Sequence, residues 1–242
     1  MTKIMIYPLS YDTGFAPNPY GGILTFGCCM SKIRKNISEG DILIGIGSER
    51  LDNILSENDV TIKGLTNGKI LYIAFITKKT SHNDYSKFVR TNMSSCIAIK
   101  IPSPENNSGD SIYEFDDDLV CKNKILVIPN LHLKKSWDDI ETLRVRIGDD
   151  ISEDVLLSTH YLYFGDSFPN NTIKQLDDIV EHNKNMCAIG EYISISISEQ
   201  LSLSIHEYIK ITIDVTNKCI IGNPCSSYAK LDLTQNRKII SM

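Results

Sequence analysis

From Lys3 to Leu9 the chain reads KIMIYPL, a short apolar run that predicts a first strand. Leu24 to Asn36 has roughly helical apolar spacing through Leu24, Phe26, Met30, Ile33 and Ile37, with Thr25 as its N-cap and Lys32, Arg34 and Lys35 in its last turn. Glu39-Gly40-Asp41 turns into a predicted strand at Ile42 to Ile46. Residues 49 to 68 are polar and broken by Gly64 and Gly68, which predicts a mobile insertion with one short helix. Ile70 to Thr77 is apolar on both faces, the pattern of a central strand. A short helix over Thr80 to Val89 follows, then a surface loop from Pro102 to Asp118. Further strands are expected at Ile125 to Ile128 and Val155 to Phe164. A helix is expected over Thr172 to Asn185, burying Ile173, Leu176, Ile179 and Val180. From Ile193 to Val215 every odd position is apolar except Glu199 and Glu207, which favours two or three short strands. A helix over Gln200 to Lys210 is the rival assignment.

Strands outnumber helices in this pattern. The expected class is α+β: a mixed, mainly antiparallel sheet or a small β-barrel, with flanking helices. The length of 242 residues suits one large domain or two small ones. We expect residues 1–190 to form the main domain and 191–242 a β-rich extension packed on it. No apolar run approaches the roughly 18 residues of a membrane span, and the N-terminus has no signal-peptide h-region. Seven cysteines show no CxxC pair and no zinc-ligand rhythm with the five histidines, so free thiols, a reducing cytoplasm, and no metal or cofactor are expected. The net charge of −5 argues against a broad grip on duplex DNA. It leaves room for a single nucleotide, a local basic patch or a protein partner, and the oligomeric state stays open.

Candidate chemistry concentrates between residues 11 and 48. Gly14, Pro17, Pro19, Gly21 and Gly22 fall within nine positions and restrict the backbone strongly, as in a loop that presents something. Asp12, Thr13 and Asn18, with backbone N–H groups around Gly14, could line a pocket for a base edge. Equally, Asp12 and Asn18 could bond their own neighbours in Asx-turns. Phe15 and Tyr20 could stack on a base or anchor the loop, with Phe15 preferred for stacking. Cys28 and Cys29 suggest a thiol nucleophile served by His82, His132 or His160, or simply small apolar packing; on a helix they would point in different directions. Lys32, Arg34 and Lys35 could hold phosphate or mark a solvated helix end. Asp41 and Asp110 each follow Gly, where turn capping competes with catalysis; convergence with Asp12 would give a carboxylate group able to hold Mg²⁺. Trp137 reads as a packing anchor.

One resemblance gathers these segments. Asp12-Thr13-Gly14-Phe15-Ala16-Pro17-Asn18-Pro19-Tyr20-Gly21-Gly22 and Cys28-Cys29 carry it. Lys32-Ile33-Arg34-Lys35, Gly40-Asp41-Ile42, Gly45-Ile46-Gly47-Ser48 and Leu71-Tyr72-Ile73-Ala74 continue it. Asp84-Tyr85, Gly109-Asp110-Ser111-Ile112-Tyr113 and Tyr163-Phe164-Gly165 complete the order. Over residues 1 to about 190 the chain resembles the nucleotide modification associated domain family, second numbered type. Met30 departs from the pattern, where relatives are expected to carry Lys. The resemblance implies association with systems that make, remove or recognise modified nucleobases, often in phage or mobile-element settings. The Gly-Asp-led strands are similar to PUA and EVE barrels, which seat a modified base. The function expected is therefore recognition of a modified nucleobase or nucleotide at base level, with ligand contacts at Asp12, Thr13, Gly14, Phe15, Asn18, Cys28, Cys29, Lys32, Arg34, Asp41 and Asp110. The alternative is an enzyme acting on a nucleotide or base through a Cys- or Asp-centred site, its catalytic residues unknown.

Overall fold

The computed structural model describes residues 1–57, 64–92, 95–102, 109–115, 124–128, 138–185, 191–225 and 238–241, with side chains at all of these except 115, 124–128 and 238–241. In chain order the strands are β1 (Lys3–Leu9), β2 (Leu24–Phe26), β3 (Ile42–Gly47), β4 (Ile70–Phe75), β5 (Lys78–Thr80), β6 (Ile112–Phe115), β7 (Lys124–Ile128), β8 (Val155–Ser158), β9 (His160–Tyr163), β10 (Ile193–Ser196) and β11 (Lys238–Ser241). The helices are α1 (Ser31–Asn36), α2 (Glu49–Glu57), α3 (His82–Thr91), α4 (Ile140–Ile151), α5 (Lys174–Asn183) and α6 (Glu199–Thr216). The chain divides into two compact units, each assembled from separate stretches: 1–13, 36–78 and 158–227 in the first; 14–35, 79–157 and 228–242 in the second.

The first unit is built on a five-stranded sheet in the order β10-β1-β3-β4-β9. β1 and β3 run parallel, with Ile4 opposite Ile42, and the remaining pairs are antiparallel. A parallel pair needs a long crossover, and here residues 10–41 supply it. β1, β3 and β4 are buried almost end to end, which is why they read as continuous apolar runs and not as alternation. Apolar stripes on α2 (Leu51, Leu55), α5 (Leu176, Val180) and α6 (Leu201, Ile205, Ile209) are buried in this unit.

The second unit holds two three-stranded sheets, β2-β8-β5 and β11-β7-β6, the latter antiparallel. β5, β8 and α1 each reach the first unit by a single end residue. Tyr85 and Val89 of α3 pack with Ile97, Ile112 and Val155 to form a core cluster. The fold is thus α+β, and among the described residues no sheet closes into a barrel.

Four sequence assignments are corrected. Leu24–Phe26 is a strand and only Ser31–Asn36 is helical, because Cys29 and Met30 take left-handed φ values of 57° and 45° that no helix can contain. Val155–Phe164 is two strands in different sheets, separated at Thr159. The loop over Pro102–Asp118 contains β6, with Asp110 to Tyr113 buried. Beyond Ser196 the alternating segment is helix α6, the rival assignment, so residues 191–242 are not uniformly β-rich. A period of two contains a period of four: Leu201, Ile205 and Ile209 are buried while Leu203 and Ile211 are exposed. Ser198 caps its start, accepting from the Leu201 amide. Helix α4, capped by Asp139, was not anticipated. Trp137, His132 and residues 103–108 and 116–118 lie outside the described residues.

Candidate functional site

The turn-rich ribbon enters the second unit as a tight hairpin. Asn18 and Thr25 exchange both backbone hydrogen bonds, at 2.8 and 2.9 Å. Asn18 Oδ1 accepts from the Tyr20 amide at 3.1 Å, the Asx-turn its residue type favours. Its carbonyl and side-chain oxygen also accept from Lys100 Nζ at 2.7 and 3.1 Å. Lys100, almost wholly buried, donates a third bond to Thr25 Oγ1 at 3.2 Å. Thr25 in turn donates to Asp110 Oδ2 at 2.6 Å, and the Tyr85 hydroxyl donates to the same oxygen. Gly109 lets this assembly close, since a Cβ there would collide with the backbone of Ile101 and Pro102. The Asp110 amide then reaches the Lys100 carbonyl at 2.7 Å.

Asp110 is the exception in this satisfied network. Its Oδ1 is buried and receives no hydrogen bond; the Asn18 amide lies near enough to favour the charged form without reaching bonding geometry. Burial raises the Asp110 pKa, outweighing the attraction of Lys100 and the bonds from Thr25 and Tyr85. A buried carboxylate oxygen left without a donor is costly and calls for an explanation.

A second polar cluster lies in the same unit. Both cysteine sulfurs and an Asp150 oxygen lie within 4.8 Å of one another. Because residues 28–30 are not helical, the expectation that adjacent cysteines diverge does not apply. Asp150 Oδ1 accepts from the Cys29 amide at 2.9 Å, and Oδ2 accepts from the Tyr113 hydroxyl at 2.5 Å. Burial first, then the Cys29 charge, pushes Asp150 up to about 6. The Cys28 thiol is pushed far up by its hydrogen bond with Cys29 and by burial, so it is not a ready nucleophile.

Arg34 frames this cluster without offering its charge to a ligand. It is fully buried, and its guanidinium donates to the carbonyls of Asp149, Asp150 and Glu153 at 2.7 to 2.9 Å, and to Cys29 at 3.0 Å. It therefore caps the C-terminal end of α4, where a cation suits the helix dipole. His82 Nε2 donates to the Asp150 carbonyl at 2.9 Å, which fixes its tautomer. Burial and then the Arg34 charge hold His82 down to about 4, so it is neutral at pH 7.

A cavity of about 270 Å³ is lined by Ser81, His82, Asn83, Ile151, Ser152, Glu153 and Asp154. It sits where α3 begins and α4 ends. Its walls carry two carboxylates, an amide and two hydroxyls, and no cation.

Of the eleven predicted contacts, Asn18, Cys28, Cys29, Arg34 and Asp110 come together in these clusters. Phe15 is buried and anchors the ribbon where a stacking platform was expected, and Tyr20 is more open. Gly14 is buried with φ 76°, and Lys32 is exposed. Asp12, Thr13 and Asp41 belong to the first unit. There Asp12 is buried, accepting from the Tyr163 hydroxyl and from the Cys225 amide at 2.9 Å, with burial raising its pKa. Asp41 ties the amides of Lys3 and Ser38, each at 2.9 Å, as a turn cap does. Gly165 of the Tyr163-Phe164-Gly165 motif has φ 49° and lies against the Asn223 carbonyl, where no Cβ fits. Lys100, Tyr85, Tyr113 and Asp150 were missed. A lysine inside CIAIKIP and the Asp–Tyr spacing of GDSIY are signals for Lys100 and Tyr113, but neither marks Tyr85 or Asp150.

No described helix is long and apolar enough to cross a membrane. Comparison with curated proteins and with solved structures gives no match. A family model described as nucleotide modification associated domain 2 matches residues 1–224. The match carries the resemblance beyond residue 190, and the chain belongs to that family.

Proposed function

We propose that this chain recognises a nucleobase or nucleoside, modified in its physiological form, within a nucleotide modification system, and that the base enters the cavity between α3 and α4. The observation that carries this reading is the size and chemistry of the cavity. At about 270 Å³ it lies just below the usual range of ligand sites, leaving room for one base and not for a dinucleotide or polyphosphate. Glu153 and Asp154 are acceptors for exocyclic amino and ring N–H groups, as carboxylates are for the cytosine amine. The same two charges repel phosphate, in keeping with the net charge of −5. Neutral His82 lines the cavity, held by Asp150 and by an edge contact to Tyr113 at 5.2 Å between ring centroids. In this reading the residues Asn18, Cys28, Cys29, Arg34 and Asp110 support the site from beneath and do not touch the base.

Calorimetric titration with cytidine, adenosine, uridine and base-modified analogues, each also as its triphosphate, tests the reading. Expected are binding of a nucleoside bearing an amino donor, weaker binding of its triphosphate, and little dependence on salt, since few counterions are released. Glu153→Gln should weaken binding by roughly tenfold, about 1.4 kcal/mol, for one lost charged hydrogen bond. Triphosphates binding more tightly than nucleosides, or no binding by any member of the panel, would contradict it.

A further inference from the structure

The base-binding reading gives the paired thiols a supporting place but no chemistry of their own. We propose that Cys28, Cys29 and Asp150 bind one borderline-soft divalent cation of the zinc class. Their donor atoms already lie within 4.8 Å of one another, although Cys29 and Asp150 are 121 residues apart in sequence. Two thiolates with one carboxylate form a set that zinc and cobalt accept and that magnesium and calcium, which prefer oxygen donors, do not.

The surroundings hold this set in place. Tyr113 and the Cys29 amide fix the two oxygens of Asp150, as second-shell partners of metal ligands commonly do. Arg34 grips the Cys29 carbonyl and the Asp150 carbonyl together, tying both ligand-bearing segments to one group. The backbone at Cys29 and Met30 is left-handed at two successive residues with side chains, an unfavourable conformation that persists where its surroundings enforce it. It turns both sulfurs towards Asp150, which an ordinary helical course would not do. Cys29 is only partly buried, which gives the ion a way in.

Binding forms two metal–sulfur bonds and one metal–oxygen bond and sends the thiol protons to solvent, with no change of oxidation state. Three protein donors leave a fourth tetrahedral position for water.

Titration of the full chain with Co²⁺ under reducing conditions tests the proposal. The expected result is one equivalent bound, with a thiolate-to-cobalt charge-transfer band that Zn²⁺ displaces and a release of roughly two protons per ion. Cys28→Ser and Cys29→Ser should abolish the band, and Asp150→Asn should weaken binding at least tenfold. Cys96→Ser, at an exposed thiol, should change nothing. The wild-type spectrum decides the matter even if a variant folds poorly: no charge-transfer band overturns the site. A band that survives both serine variants, or binding unaffected by Asp150→Asn, overturns it equally.

Discussion

Arg34 follows Lys32 in a cationic run whose sequence marks either a solvated helix end or an anion site. Burial shows a third use, because its donors are committed to main-chain carbonyls at the end of α4. A lysine there would offer one ammonium in place of a planar fork. Arg34→Lys and Arg34→Ala are therefore both expected to lose more than about 3 kcal/mol, by leaving several buried carbonyls unpaired; urea unfolding measures this, and a loss below 1 kcal/mol for Lys would contradict the capping role. Asp12 makes a related case in the first unit. Asparagine could still accept from Tyr163, but its amide would then face the Cys225 N–H, donor against donor. Asp12→Asn should cost about 1–3 kcal/mol in the same assay. What was legible at this scale was residue type at turns: Asn18 and Asp41 satisfy backbone donors, as short polar side chains next to Gly and Pro do. Whether Arg34 faced solvent could not be read, because its partners lie more than a hundred residues away.

At the scale of elements, α6 separates the two periodicities most sharply. As a helix it buries Leu201, Ile205 and Ile209 and exposes Leu203 and Ile211, whereas a strand would place all five on one face. Ile205→Ala should cost about 2–5 kcal/mol and Ile211→Ser less than about 0.5 kcal/mol. Equal losses at both positions would restore the strand. The start of β9 carries a pH-dependent pair. His160 stacks on His206 with ring centroids 3.9 Å apart, and burial, then the His206 charge, lowers its pKa. With its pKa depressed in the fold, His160 gives full stability above its unfolded value, near 6.5, and loses it as pH falls below. The melting temperature should thus fall less steeply from pH 7 to pH 5 in His160→Gln than in the parent, and identical slopes would count against the pair. Central strands and amphipathic helices were readable here because they bury continuous stripes. The break at Thr159 was not, since no Gly or Pro announces it, and Gly27 alone does not mark the left-handed φ values at Cys29 and Met30.

Across the whole molecule, the candidate site draws on residues from the stretches 14–35 and 79–157, both in the second unit. Part of it was visible beforehand: the segment from the ribbon to Arg34 and the GDSIY motif supply Asn18, Cys28, Cys29, Arg34 and Asp110. The rest consists of groups that act by position, namely Lys100, Asp150 and the cavity walls at Ser81–Asn83 and Ile151–Asp154. Such residues carry no motif, because a helix end becomes a wall only when another helix starts beside it. The ribbon, expected to receive the base itself, is packed inward at Phe15 and Asn18, so we place the base at the cavity with the ribbon as its support. Backbone amide chemical shifts, recorded while the nucleoside of highest affinity is added, test that placement most directly. Shifts concentrated at Ser81–Asn83 and Ile151–Asp154 are predicted; saturable shifts confined to Asp12–Tyr20 would contradict it.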